Sequence, residues 1–360
     1  MTRKSLIQLG LFAALIIMVP CQAYANMGTP LMWAGALHLL IGNAIIGFIE
    51  GEIIAIAFKT KKLWSILVMI VANYISMWTG AFILNGLTDK LQSMVTIYNI
   101  TVIFCALIAI SFLITFIIEW PFCLFLFRRK EKRIKRSLLA NLITQSISYI
   151  LLIAFYALPS GASLITDVKI DKTLSFATTQ KMWVYYISPN DGDVYRIRPN
   201  GSANEKVMIE DIIDKLAKLF IRPSADAPYS DLCVLQRSTD YVLIKHFTAE
   251  PMTLYYSEKD KQPFWFGLID LRPQDQRDWN ISVGFWAIEG LSAKNKVNGK
   301  EFNLAMETPF VNLSIKNITI LPGNQLVLQI NYNQIALLDL NTKELGLITL
   351  GRGPLVIMEK

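Results

Sequence analysis

Histidine is almost missing from this chain: His38 and His246 are its only two, and they stand far apart. No His-Glu-x-x-His and no Cys-x-x-Cys occurs, so the usual zinc frameworks are excluded and no metal is expected. Cysteine is scarce as well. Of Cys21, Cys105, Cys123 and Cys233, the first lies in an N-terminal segment expected to be removed, and the next two lie inside apolar runs. Only Cys233 belongs to the polar half of the chain, which therefore has no internal disulfide. A domain held by its core alone fits a bacterial periplasmic or outward-facing setting. Gly-x-Ser-x-Gly is absent, and no glycine loop is placed to cradle a phosphate. Gly351-Arg352-Gly353-Pro354 follows a predicted strand with no helix after it, and reads as a turn into a last strand at 355–358. No catalytic residue and no cofactor is expected, and the chain reads as non-enzymatic.

Positive charge is in excess, with a net charge of +7. Ten of the 35 basic residues, however, crowd into two short loops, Lys59 to Lys62 and Arg128 to Arg136. Membrane topology and contact with anionic lipid explain them there, and nucleic acid is not an expected partner. A mean hydropathy of +0.40 with 53% apolar residues does not suit a single soluble globule. The average conceals a split: residues 1–158 hold nearly all the long apolar runs, and residues 160–360 have charge spread throughout.

Residues 1–25 read as a cleaved signal peptide, with Arg3 and Lys4, an apolar run, and Ala23-Tyr24-Ala25 as the cleavage site. A membrane domain follows at 26–158. Its four expected spans, about 31–58, 63–84, 97–127 and 138–158, each approach or exceed the roughly 20 residues that cross a bilayer. Basic loops alternate with a nearly neutral connection carrying only Asp89 and Lys90. Positive loops stay inside, so both ends of this unit and the polar half are expected outside, across a plasma or inner membrane.

Ionisable and amide side chains inside the spans are the best functional candidates, because burying them in hydrocarbon is costly unless they are paired or wet. They are His38, Asn43, Glu50 and Glu52 in the first span, Asn73 in the second, Glu119 in the third, and Asn141 and Gln145 in the fourth. At about 100° per residue, Asn43, Gly47 and Glu50 share one helical face, whereas Glu50 and Glu52 diverge by about 160°. Counting about 1.5 Å per residue from the basic loops puts Glu50, Glu52, Glu119 and Gln145 at one depth, with Asn73 slightly deeper. Three readings stay open for this layer. It could be an ion or proton site, an interhelical contact with Gly42, Gly47 and Gly51 letting helices approach, or a surface gripping a membrane partner.

Beyond Pro159-Ser160-Gly161 the texture becomes short β-rich runs with turn punctuation. Two alternating strands flank Asn190-Asp191-Gly192, and a second turn falls at Asn200-Gly201. Asp191 and Asp193 read as hairpin-turn residues before they read as calcium ligands, and His246 as a rim residue. Residues 208–220 carry helical spacing (Ile209, Ile212, Ile213, Leu216, Leu219, Phe220) and predict an amphipathic helix. Further strands are expected near 232–235, 241–247, 253–257, 264–270, 281–288, 311–321, 325–330, 334–339 and 345–350. Segments 184–202 and 325–345, each a strand, polar turn and strand followed by another turn, resemble blades of TolB-like and WD-repeat-like β-propellers. The resemblance implies a propeller-like, or otherwise irregular, all-β extracytoplasmic domain.

The expected architecture is therefore an all-α four-helix transmembrane domain followed by an all-β domain at 160–360. Its expected partners are the lipid bilayer and a membrane or extracytoplasmic protein. The alternative is a small transporter or channel subunit using the intramembrane glutamates.

Overall fold

The structure, a computed structural model, describes residues 30–157, 168–177, 181–225, 228–237, 239–248, 256–257, 262–263, 268–272, 277–283, 290–308, 310 and 312–359. The expected signal peptide lies outside them. The first half is helical and the second β-rich.

Helix α1 (Pro30–Leu37) runs through a π-helical turn (His38–Gly42) into α2 (Asn43–Phe58). The backbone N–H of Asn43 reaches back to the carbonyl of His38, the five-residue bond that defines such a turn. This extra residue shifts the helical phase between α1 and α2. Lys59 ends α2 in the left-handed conformation (φ 52°) and returns its N–H to Ala55. Then come α3 (Lys62–Met94), α4 (Ile100–Leu126) and α5 (Arg133–Ala157). Segments Ala34–Phe58, Lys62–Ile83, Ile100–Leu126 and Arg133–Ala157 are four helices long and apolar enough to cross a membrane. Two helices outrun the sequence expectation: α3 continues to Met94, and α5 begins inside the basic loop at Arg133.

Compact packing divides the chain into two units. The helical residues up to Thr88 and from Phe104 form one, and residues 89–103 join the β-rich part as the other.

In the second unit a six-stranded sheet runs in the order Lys169–Ile170, Glu344–Leu350, Gln334–Asp339, Gln325–Ile330, Ile315–Leu321, Ile269–Asp270. A four-stranded sheet runs Arg352–Met358, Met182–Ile187, Val194–Ile197, Glu205–Met208, so the last strand of the chain pairs antiparallel with one of the first in this unit. Three-stranded sheets (Lys218–Pro223, Ser230–Gln236, Thr239–Thr248; and Trp279–Val283, Leu291–Asn295, Glu301–Leu304) and two two-stranded ribbons complete the described β structure. None of these sheets closes on itself.

Met182–Ile187 is buried on both faces. Trp183, Tyr185 and Ile187 enter one core with Leu219, Ile221, Leu232 and Val234. Met182, Val184 and Tyr186 enter another with Val327, Ile335 and Leu337. The period-2 alternation of a strand makes both possible at once. Each fully buried side chain of this size contributes about 1.5–3 kcal/mol.

The helix expected at 208–220 is not formed. Met208 ends a strand, and Lys218–Pro223 is another. The amide of Ile212 donates to the carbonyl of Gly192 at 2.9 Å. Those of Glu210 and Asp211 donate to the Asp193 carboxylate at 3.0 and 3.4 Å. Backbone donors that a helix would use internally thus serve the neighbouring hairpin. Gly192 (φ 73°) is required there, since a Cβ would lie 2.5 Å from the Ile212 nitrogen. The expected final turn also differs: Arg352, Gly353 and Pro354 already belong to the last strand.

Candidate functional site

The helical unit is built around a buried polar cluster, and glycine makes it possible. On α2 the inward face is Asn43, Ile46, Gly47, Glu50, Gly51, Ile54 and Ala55, a repeat of three and four. A Cβ at Gly47 would lie 2.6 Å from the Ile70 Cα, and one at Gly51 would lie 2.4 Å from the Ile66 Cα. Only glycine admits α3 that closely. One helical turn beyond this contact stands Asn73 of α3, within reach of Glu50.

The Asn73 Nδ2 donates to Glu50 Oε2 at 2.6 Å and to the Met69 carbonyl at 3.0 Å. From α5, Ser148 Oγ donates to Glu50 Oε1 at 2.6 Å, and Gln145 Nε2 lies 3.5 Å from the same oxygen. Gln145 Nε2 also donates to Glu119 Oε2, while Ser76 Oγ of α3 donates to Glu119 Oε1 at 2.7 Å. One amide nitrogen thus bridges two carboxyl groups on different helices. Glu50 and Glu119 are fully buried, and all four of their oxygens receive a donor from another helix. Such donors offset the desolvation that an isolated buried carboxyl group would suffer.

Of the residues singled out from the sequence, this cluster collects Glu50, Asn73, Glu119 and Gln145. Asn141 lies on the same face of α5 but serves α4: its Nδ2 donates to the Phe116 carbonyl at 2.8 Å. Nearby, Pro121 leaves the Ile117 carbonyl without its helical donor. Asn43 donates to the His38 carbonyl at 2.9 Å and to the Met77 sulfur at 3.1 Å. His38 pairs through Nδ1 with the Tyr156 hydroxyl at 2.8 Å. Glu52 stands apart. It forms an ion pair with Lys62 at 2.8 Å near the α2–α3 turn, as its angular divergence from Glu50 requires. Ser76 and Ser148 were not singled out in the sequence. Each follows an amide of the cluster by three residues, the spacing that keeps a helix face, and that spacing was the available signal.

The arrangement cross-links α2, α3, α4 and α5 through acceptors on α2 and α4 and donors on α3 and α5. Among the described residues no three His, Cys, Asp or Glu side chains come together in a metal-binding group. Among the described residues, no Lys or Arg donates to either carboxyl group.

In the second unit, Asp193 and Asp191 share Lys206, at 2.6 and 3.3 Å, and Asp191 also accepts from Tyr195 at 2.8 Å. A hydrogen bond from the Ser188 side chain, with that from Tyr195, holds Asp191 below the usual aspartate range, and Lys206 with the Glu210 amide does the same for Asp193. Asp191 also serves the hairpin turn itself, its carboxylate accepting the Asp193 N–H at 3.2 Å. His246 has a left-handed backbone (φ 53°) at an irregularity in its strand, donates its N–H to Asp231 at 2.9 Å, and stacks near Tyr229.

No family model matches the sequence, and no match is found among curated proteins.

Proposed function

We propose that this chain is a non-enzymatic membrane protein: its helices anchor it and dock with other membrane subunits, and its β-rich part, propeller-like and outward-facing, binds a protein or ligand. One observation carries the anchoring role: each oxygen of Glu50 and Glu119 is already engaged by a donor from a neighbouring helix. A polar layer satisfied in this way joins helices, and offers no free ligand oxygen to a passing solute. The orientation draws support from residues 89–103, the α3–α4 connection with its flanking helix ends, which pack with the β-rich part as one unit. A four-stranded antiparallel sheet that joins the two ends of the β-rich part supports the propeller-like reading. Tagged protein solubilised from native membranes should bring down a stoichiometric partner. Recovery of the protein alone would count against the binding role.

A second reading is favoured by the absence, among the described residues, of any Lys or Arg on the paired carboxyl groups: a small transporter or channel subunit in which Glu50 and Glu119 pass a cation across the bilayer. Glu50→Gln and Glu119→Gln separate the two. Under the anchor reading they alter stability or assembly. Under transport they abolish an ion flux in liposomes that the parent protein supports.

A further inference from the structure

A second feature of the helical unit lies away from the carboxyl pair. Where the basic loop enters α5, a groove of about 780 Å³ opens beside the helix. One end is lined by Lys130, Lys132, Arg133 and Lys135. The wall beyond is apolar, with Phe116 of α4 facing Leu138 and Leu142 of α5. These leucines are 37% and 48% exposed.

We propose that this groove binds one anionic phospholipid, its phosphate among the four cations and an acyl chain along the apolar wall. Three observations converge. The first turn of a helix favours acidic residues, because its free N–H groups and dipole are positive. Here that turn holds Arg133, Lys135 and Arg136 and no acid, an arrangement that repels itself unless an anion is present. Among the described residues, none of the four groove cations is in an ion pair; Lys130 only touches the Lys59 carbonyl at 3.4 Å. The exposed apolar wall begins at the level where the cations end, with the leucines four residues apart on one face. A free phosphate would satisfy the cations and leave that wall bare, whereas a lipid covers both. A zwitterionic lipid brings its own ammonium and gains less. The inference needs the helices to lie in lipid, and does not depend on their orientation or on what the β-rich part binds.

Native mass spectrometry on the delipidated full-length protein in detergent tests it, with phosphatidylglycerol or phosphatidylcholine added. Neutralising the whole loop would risk inverting the chain in the membrane, so the groove is filled instead, by Leu138→Trp with Leu142→Trp. A milder pair, Arg133→Gln with Lys135→Gln, keeps five of the seven loop cations. The parent should take up a first phosphatidylglycerol about tenfold more tightly than phosphatidylcholine, less than four additive contacts of about fivefold each would give. Both double variants should lose most of that preference, and Leu151→Trp, farther along α5, should keep it. Glycerol phosphate should fail to displace the lipid. Equal uptake of the two lipids, a preference untouched by filling the groove, or displacement by glycerol phosphate would each overturn the assignment.

Discussion

Gln334 donates its side-chain amide to the carbonyl of Val95 at 3.0 Å and accepts the N–H of Ile97 at 3.0 Å. A strand residue of the β-rich part thereby satisfies both backbone groups of a segment 239 residues earlier in the chain. Tyr98 adds its hydroxyl to the Leu347 N–H at 3.2 Å, and Val95 and Ile97 are buried. Under the membrane reading, residues 95–98 and the strands of 334–350 share one side of the bilayer, and the loop 128–136 lies on the other. Cysteines placed at Ser93 and Ser292 should react with a membrane-impermeant maleimide in intact spheroplasts. One at Arg129 should react only after lysis. Labelling of Arg129→Cys before lysis would reverse the orientation.

The same pair of hydrogen bonds has a stability consequence. Gln334 is 1% exposed, so Gln334→Leu leaves the Val95 carbonyl and the Ile97 amide buried without partners. Stranding buried polar groups costs about 1–3 kcal/mol. Thermal unfolding in detergent should show that loss. Gln325→Leu is a useful comparison, because it removes a donor to the Phe176 carbonyl and to Asp339 of the neighbouring strand and leaves residues 95–97 intact. Only the Gln334 variant should expose the 95–97 connection to protease.

Glycine at the α2–α3 contact is tested by a matched pair. Gly51→Ala places a Cβ 2.4 Å from the Ile66 Cα, and backbone cannot yield as a flexible side chain does. Overpacking of this kind costs about 1–3 kcal/mol and would also pull Asn73 away from Glu50. Gly80→Ala, with nothing within 4 Å of its Cβ, should be neutral or stabilise by about 0.4–1 kcal/mol. The melting temperatures of the two variants should therefore move in opposite directions or differ clearly in size.

The sequence could show some of this because the underlying physics is local. A helix that crosses hydrocarbon needs a long apolar run, and all four are visible as such. Gln325–Ile330 and Gln334–Asp339 have the limits their letters suggest, bounded by Asn-rich turns. Glu50 and Glu119 stood out because carboxyl groups are rare in apolar runs. Their partners Ser76 and Ser148 did not, because serine is unremarkable in a helix until something acidic faces it. The π-turn at His38–Gly42 has no sequence signature comparable to proline or a cap. Residues 208–220 misled because three isoleucines happened to fall at helical spacing. Ile209 and Ile213 are in fact largely exposed, and only Ile212 enters a core. What decided that segment was Asp193, a residue outside it, whose carboxylate captures two of its amides.

Lys218 gives the β-rich part a pH dependence whose sign can be stated in advance. It is the first residue of the strand Lys218–Pro223 and is 5% exposed. Burial, with a smaller contribution from the like charge of Lys316, pushes its ammonium down from the usual 10.5 to about 8. Lys316 is lowered by burial too. Below about pH 8 the ammonium is protonated whether the chain is folded or not, and the full burial cost applies. Between about 8 and 10.5 the unfolded chain holds a proton that the folded chain has released, so stability rises with pH across that window. A shift of this size corresponds to an upper limit of about 3 kcal/mol. Lys218→Met keeps the length of the side chain and removes the charge. It should stabilise the protein at pH 7 and remove its share of the rise, leaving the part due to Lys316 and, above about pH 9, the opposing fall from the buried Cys233 thiol, which burial pushes up to about 12. Denaturant unfolding followed from pH 7 to 10.5 measures both effects. A methionine variant whose stability changes with pH just as the parent's does would show that Lys218 retains its ordinary affinity for the proton.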